Sequence, residues 1–195
     1  MTSRFVLLVA ALLPAVMLSA ACAQESEAAK KPVELKTIAE RTAGMRHLEG
    51  SVPLDWDAKA GKLYLEIRKP GAELLYTDSL PYGTGSNDLG LDRGQTAPAR
   101  VVRFERQGNK VLLVESNERF RTSATETAEV LATRQSFPES VLWGFKVEAE
   151  SADGGLLVDA SDFFLRDVHG VAEALARTQQ GIYKVDTSRS AIAMD

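Results

Sequence analysis

Few residues in this chain are suited to chemistry. His47 and His169 are its two histidines and Cys22 its one cysteine. A catalytic zinc needs about three protein ligands and an open position, and a structural zinc usually needs four. Asp162 and Asp167 lie near His169, and Asp162 could share a helical face with it, so a carboxylate–imidazole pair can form there, but both histidines read as structural or surface groups. His47 is remote in sequence, so no metal site is expected, and no resident cofactor. No G-x-S-x-G elbow surrounds any serine. The carboxylates Glu66, Asp159 and Asp162 show no spacing that singles out an acid/base pair, and they read as surface or capping groups.

The most distinctive stretch is the loop over residues 81–98, rich in glycine and polar groups. Asn87, Asp88, Asp92, Arg93 and Gln95 are its candidate interface or ligand residues. A phosphate-binding reading fails, because Gly83-x-Gly85 meets Asp88 where a third glycine is needed and no Gly-Lys-Ser/Thr follows. A calcium reading fails as well. Asn87, Asp88 and Asp92 offer hard oxygens, but not at the spacing of a twelve-residue calcium loop. The expectation is an ordered loop whose Asp and Asn side chains satisfy its own backbone.

The elements that must position these groups read as β-rich α+β: antiparallel hairpins and a meander with two or three short helices. Leu63, Leu65 and Ile67 alternate with Tyr64, Glu66 and Arg68 after a turn at 57–61, which predicts a hairpin with residues 51–56. Residues 73–80 predict a strand, and 99–106 pair with 110–115 across Gln107-Gly108-Asn109. The alternation around Trp143 and Phe145, followed by Asp153-Gly154-Gly155, predicts the clearest hairpin. Helices are expected over 37–47, ending before Gly50, and over 123–137, amphipathic, capped by Ser or Thr and ended by Pro138. A closing helix capped by Ser161 or Asp162 should run on to Ala176 with a weak point at Gly170, and 181–185 could add a strand. Trp56, Trp143, Phe145, Phe163 and Phe164 are expected in the core.

Composition fits one globular domain: 195 residues, 45% hydrophobic, with 23 basic against 27 acidic side chains. A net charge of −4 gives no electrostatic reason to bind nucleic acid or anionic lipid. At the amino terminus, Arg4, an apolar run over 5–18 and small residues at 19–21 have the layout of a secretory signal, so export to the periplasm or beyond is expected. Two cleavage readings compete. Ala21-Cys22-Ala23 gives an A-x-A site and a chain starting at Gln24, the favoured reading, whereas Ser19-Ala20-Ala21-Cys22 resembles a lipoprotein box that would lipidate Cys22 and tie the protein to a membrane. Residues 24–35 read as a flexible tether, and 36–195 as a single β-rich accessory domain.

Five segments together carry a family likeness: D-x-x-x-G-K-L-Y-L-E-I over 57–67, G-S-N-D-L-G-L-D-R-G-Q over 85–95, R-V-V-R-F-E-R over 100–106, S-V-L-W-G-F over 140–145 and V-D-A-S-D-F-F-L-R-D over 158–167. They resemble the amino-terminal, functionally unassigned domain of large exported bacterial zinc-dependent metalloproteases. The resemblance implies a zinc motif of the H-E-x-x-H kind in a later domain, and this sequence contains no H-E-x-x-H. Zinc is thus implied only for that separate peptidase domain, which is the expected partner. The chain itself is expected to be a non-catalytic accessory domain that packs on, or presents substrate to, the peptidase, as a shortened form of a longer protein. The alternative is a free-standing periplasmic or lipid-anchored binding module.

Overall fold

Alternating apolar residues and glycine turns build most of the molecule. The computed structural model describes residues 35–194 apart from Thr84 and Ser86, so the signal segment, its cleavage sites and Cys22 lie outside the described residues. The elements are β1 (Lys36–Thr37), α1 (Ile38–Thr42), β2 (Arg46–Leu48), β3 (Leu54–Asp57), β4 (Lys62–Ile67), β5 (Glu73–Tyr76), β6 (Arg100–Gln107), β7 (Lys110–Glu115), α2 (Thr127–Ser136), β8 (Ser140–Glu150), β9 (Leu156–Asp159), α3 (Ser161–Phe164) and α4 (Val171–Arg177). Short 3-10 turns occupy Asn87–Leu89 and Thr187–Arg189. The β-rich reading holds, with four helices where two or three were expected.

The strands form one sheet in the order β2-β3-β4-β9-β8-β7-β6-β5, antiparallel throughout, with β1 added in parallel to the end of β8. This corrects the single meander. Two meanders, β2-β3-β4 and β5 through β9, are joined where β4 pairs β9, so β5 follows β4 in sequence but lies at the opposite end of the strand order. The predicted hairpins β3-β4, β6-β7 and β8-β9 are present. Gly108 turns the second of these with a φ of 62°, a left-handed conformation that favours glycine.

The inner face gathers Leu65, Ile67, Val102, Phe104, Val111, Leu113, Phe145, Val147, Leu156 and Val158 around Phe163 of α3. The other face of β4 and β9 is also covered, since Tyr64, Ala149 and Leu157 pack beneath Ile38 and Met45. Burial on both faces explains why β9 reads as an unbroken apolar run rather than an alternation. Leu35, assigned to the tether by sequence, packs against the core. Phe163 and Phe145 are buried as expected, but Phe164 is 47% exposed, because the short helix α3 can aim only one of two adjacent rings inward.

Several helical expectations need correction. Helix α1 stops at Thr42, and Arg46–Leu48 are a strand, because hydrogen bonding to β3 outweighs the weak helical spacing. Thr37 and Glu40 close a capping box at its start. Helix α2 has Glu126 at its N-cap with no side-chain cap bond, and none of its residues is buried, so it is not the capped amphipathic helix expected. The closing helix is two helices, broken where Gly170 takes a φ of 65°. Ser161 and Asp162 do not cap; instead Asp167 accepts from the N–H groups of Val171 and Ala172, both at 2.8 Å. Residues 181–185 form no strand, and Ile182 is 95% exposed.

The excursion over residues 116–139, which includes α2, is fastened to the sheet by Arg103. Its guanidinium makes a two-pronged bond to Glu139, 2.8 Å on one side, and also bonds Glu105 and the Ser116 hydroxyl. The bond from Arg103 holds the Glu139 carboxyl below the usual carboxylate range. Arg103→Met should free this segment, seen as severalfold faster tryptic cleavage at Arg119 and Arg121 with the sheet intact by circular dichroism; an unchanged rate would assign the anchoring elsewhere.

Candidate functional site

The described residues of the loop over 81–98 rise from a braced base. Ser79 and Thr96 form a β-bridge, the Leu80 N–H donates to Gln95 O at 2.9 Å, the Gly94 N–H donates to Leu80 O at 2.8 Å, and the Ala97 N–H donates to Asp78 O at 2.9 Å. Gly94 adopts a φ of 83°, a value that strains any L side chain. At the tip, the side-chain oxygen of Gln95 accepts from the Asp92 N–H at 3.2 Å, so a glutamine performs the backbone capping expected of Asp and Asn. Asp88, Asp92 and Arg93 are exposed and make no ion pair among the described residues, and Tyr82 is 80% exposed. Asn87 sits in the 3-10 turn, which packs against α4. Asp88, Asp92, Arg93 and Gln95 are thus exposed on one loop, with Asn87 in its 3-10 turn.

His169 does not pair with Asp162, which is exposed. Its Nε2 lies 3.3 Å from Asp78 Oδ2, at the base of the loop. Both atoms are buried and neither makes a well-aligned hydrogen bond, so the contact has ion-pair distance without hydrogen-bond geometry. Asp78 was not legible as a partner in the sequence, because 91 positions separate it from His169 and only the tertiary fold brings them together.

A second cluster, unforeseen from sequence, lies across β2, β3 and β4. His47 is opposite Asp55 in register, Asp55 is opposite Tyr64, and Glu66 is two residues further on the same face. His47 Nδ1 lies 2.9 Å from Asp55 Oδ1, and His47 Nε2 lies 3.3 Å from Glu49 Oε1. Ligand atoms of His47, Asp55 and Glu66 all fall within 4.8 Å of one another. Arg68 bridges the cluster, bonding both oxygens of Glu49 at 3.1 and 3.2 Å and Glu66 at 3.0 Å. The bonds to Asp55 and then Glu49 raise the His47 pKa, while Arg68 and then His47 lower that of Glu49. The Asp55 side chain is only 3% exposed, which makes it the least accessible carboxylate in the cluster.

Of the other carboxylates named from sequence, Asp162 is an exposed surface group and Asp159 is a bonding group at the start of α3. Asp159 accepts from the Lys62 ammonium at 2.6 Å, from the Ser161 N–H at 3.0 Å and from the Ser161 hydroxyl at 2.7 Å. The Ser161 hydroxyl oxygen in turn accepts from the Leu63 N–H. A groove of about 630 Å³ runs between the outer face of β6 and the 116–139 excursion, lined by Arg103, Phe120, Arg121, Val130, Arg134 and Phe137. Phe120 and Phe137 stack there with ring centres 4.1 Å apart. Two of its arginines are committed to ion pairs, Arg103 with Glu139 and Arg121 with Glu118.

Among the described residues no helix is long and apolar enough to cross a membrane. Residues 94–195 match the model of a family described as a domain of unknown function, DUF5117. No curated protein matches the chain, and no solved structure matches it. The matched residues take in β6 to β9, α2 to α4 and the second arm of the loop, and leave the His47 cluster outside.

Proposed function

The chain belongs to the DUF5117 family, and from that premise we propose that it is a non-catalytic accessory domain that docks on a secreted zinc-peptidase domain through the 81–98 loop. The observation that carries this reading is the loop tip: Tyr82, Asp88, Asp92 and Arg93 are presented to solvent on a hydrogen-bonded base. Exposed, uncommitted charges on a hydrogen-bonded base suit recognition of a protein surface of complementary charge. The sequence resemblance to the amino-terminal domain of zinc-dependent metalloproteases supplies the class of partner.

The test is a titration of the full chain against a zinc-peptidase domain of that class. Combined Asp92→Ala and Arg93→Ala substitution should weaken association about tenfold, the equivalent of about 1.4 kcal/mol. Equal affinity for the variant and the natural chain would contradict the docking surface.

A further inference from the structure

We propose that His47, Asp55 and Glu66 form a binding site for a divalent transition-metal ion of the zinc class, which staples the edge strand β2 to β3 and β4. This inference is independent of the docking role and of the matched family segment. It begins with the imidazole. Asp55 flanks Nδ1 at 2.9 Å and Glu49 flanks Nε2 at 3.3 Å, so both ring nitrogens face carboxylate oxygens, which only accept. The ring therefore needs a positive centre on each side, either a second proton or a metal ion. Glu49 is itself held by Arg68 and can keep the Nε2–H, which leaves the Nδ1 lone pair directed toward Asp55. A carboxylate fixing the far nitrogen of a ligating histidine is a recurrent support of metal sites.

Charge balance points the same way. Glu49, Asp55 and Glu66 face one permanent cation, Arg68, and so leave two negative charges. A protonated His47 cancels one of them; a divalent ion with a neutral His47 cancels both. Asp55 is the member that most needs this, because its carboxylate is almost wholly withdrawn from water. The donor atoms of His47, Asp55 and Glu66 lie within 4.8 Å of one another, and rotamer changes that draw them inward would let one ion reach all three at the 2.0–2.2 Å typical of zinc–nitrogen and zinc–oxygen bonds. One imidazole with two carboxylates suits zinc or manganese better than a thiol-seeking ion. Two carboxylates also quench the charge of the ion, and Glu49 is tied to Arg68 rather than free as a base, so the ion serves as a strand staple and not as a hydrolytic centre.

The experiment is calorimetric titration of the full chain carrying Cys22→Ser, so that the lone thiol does not compete, with zinc chloride and separately with manganese chloride, followed by nuclear magnetic resonance of the two histidine rings. One zinc ion per chain should bind, and the ring signals of His47, but not those of His169, should move to completion at one equivalent. Glu49→Gln should weaken binding by about tenfold or more, as the loss of an outer partner does at such sites, and His47→Gln should abolish stoichiometric binding. If His47→Gln fails to fold, Glu49→Gln and the ring signals still decide the question. The proposal is overturned if neither ion binds stoichiometrically, if the His47 signals do not move, or if Glu49→Gln binds as tightly as the natural chain.

Discussion

Replacing Phe163 with alanine should destabilise the protein by about 3–5 kcal/mol, the range for removing a fully packed aromatic ring. Phe163 is the hub of the inner core. Its ring centre lies 5.3 to 5.9 Å from those of Tyr76, Trp143, Phe145 and Phe164, and the Arg166 guanidinium sits 4.4 Å above it. Those partners come from β5, β8, α3 itself and the segment after it, so one side chain ties the edge strand β5 and the interior strand β8 to the helix that closes the second meander. The surrounding aromatics cannot collapse far into the space left, because Arg166 is itself fixed by Phe163 O at 2.9 Å and by the Tyr76 hydroxyl at 3.2 Å. Equilibrium denaturation in urea measures the effect. A loss under about 1 kcal/mol would mean that the hub is not there, since such a value is what an exposed site gives.

Asp159→Ala should cost about 2–4 kcal/mol, as the loss of several hydrogen bonds to one charged acceptor does. Most of this comes from Ser161, whose N–H and hydroxyl lose their acceptor in a buried position at the start of α3. Lys62 adds little, because its ammonium is half exposed and keeps its water. The pH dependence carries the same signature. Burial pushes the Asp159 carboxyl up, but the bonds from Lys62 and Ser161 prevail and hold it below its ordinary value. A depressed folded-state pKa stabilises the fold above the unfolded value of about 3.9 and ceases to do so as pH falls through the folded value. The stability gap between the natural chain and Asp159→Ala should therefore be full at neutral pH and should shrink steadily on acidification below about pH 4. A gap that stayed constant down to pH 2.5 (an approximate lower limit for reversible work, roughly a unit below the unfolded pKa) would contradict the assignment.

What the sequence revealed and what it hid divide along a physical line. Period-two alternation and turn chemistry are local, and they located β3, β4, β6, β7, β8 and β9 with their hairpin partners. Pairing between distant strands is not local. Nothing in residues 62–67 or 156–159 announces that they lie side by side, and that contact turns one expected meander into two. Helix ends were hidden for a related reason: Arg46–Leu48 carry no strong propensity, and β3 decides their state.

The same line separates the two clusters. The loop 81–98 was visible because its glycines and polar side chains are contiguous. The grouping of His47, Asp55 and Glu66 needed the register of three strands, and the contact of His169 with Asp78 needed the tertiary placement of α4. A signal was nevertheless present. His47-x-Glu49 and Glu66-x-Arg68 each place two ionisable groups on one face of a strand, and Asp55 lies between them in sequence within a hairpin already expected. Reading charged residues, as well as apolar ones, for period-two spacing would have brought these groups to one face.

The proposed role, binding and positioning without hydrolysis, has a direct test. The purified full chain is incubated with a mixed peptide substrate and excess zinc, with no other protein present, and cleavage is followed by mass spectrometry. The account predicts intact peptides even when zinc occupies the His47 cluster. Cleavage that disappears on chelation, returns with zinc and is lost in His47→Gln would contradict it.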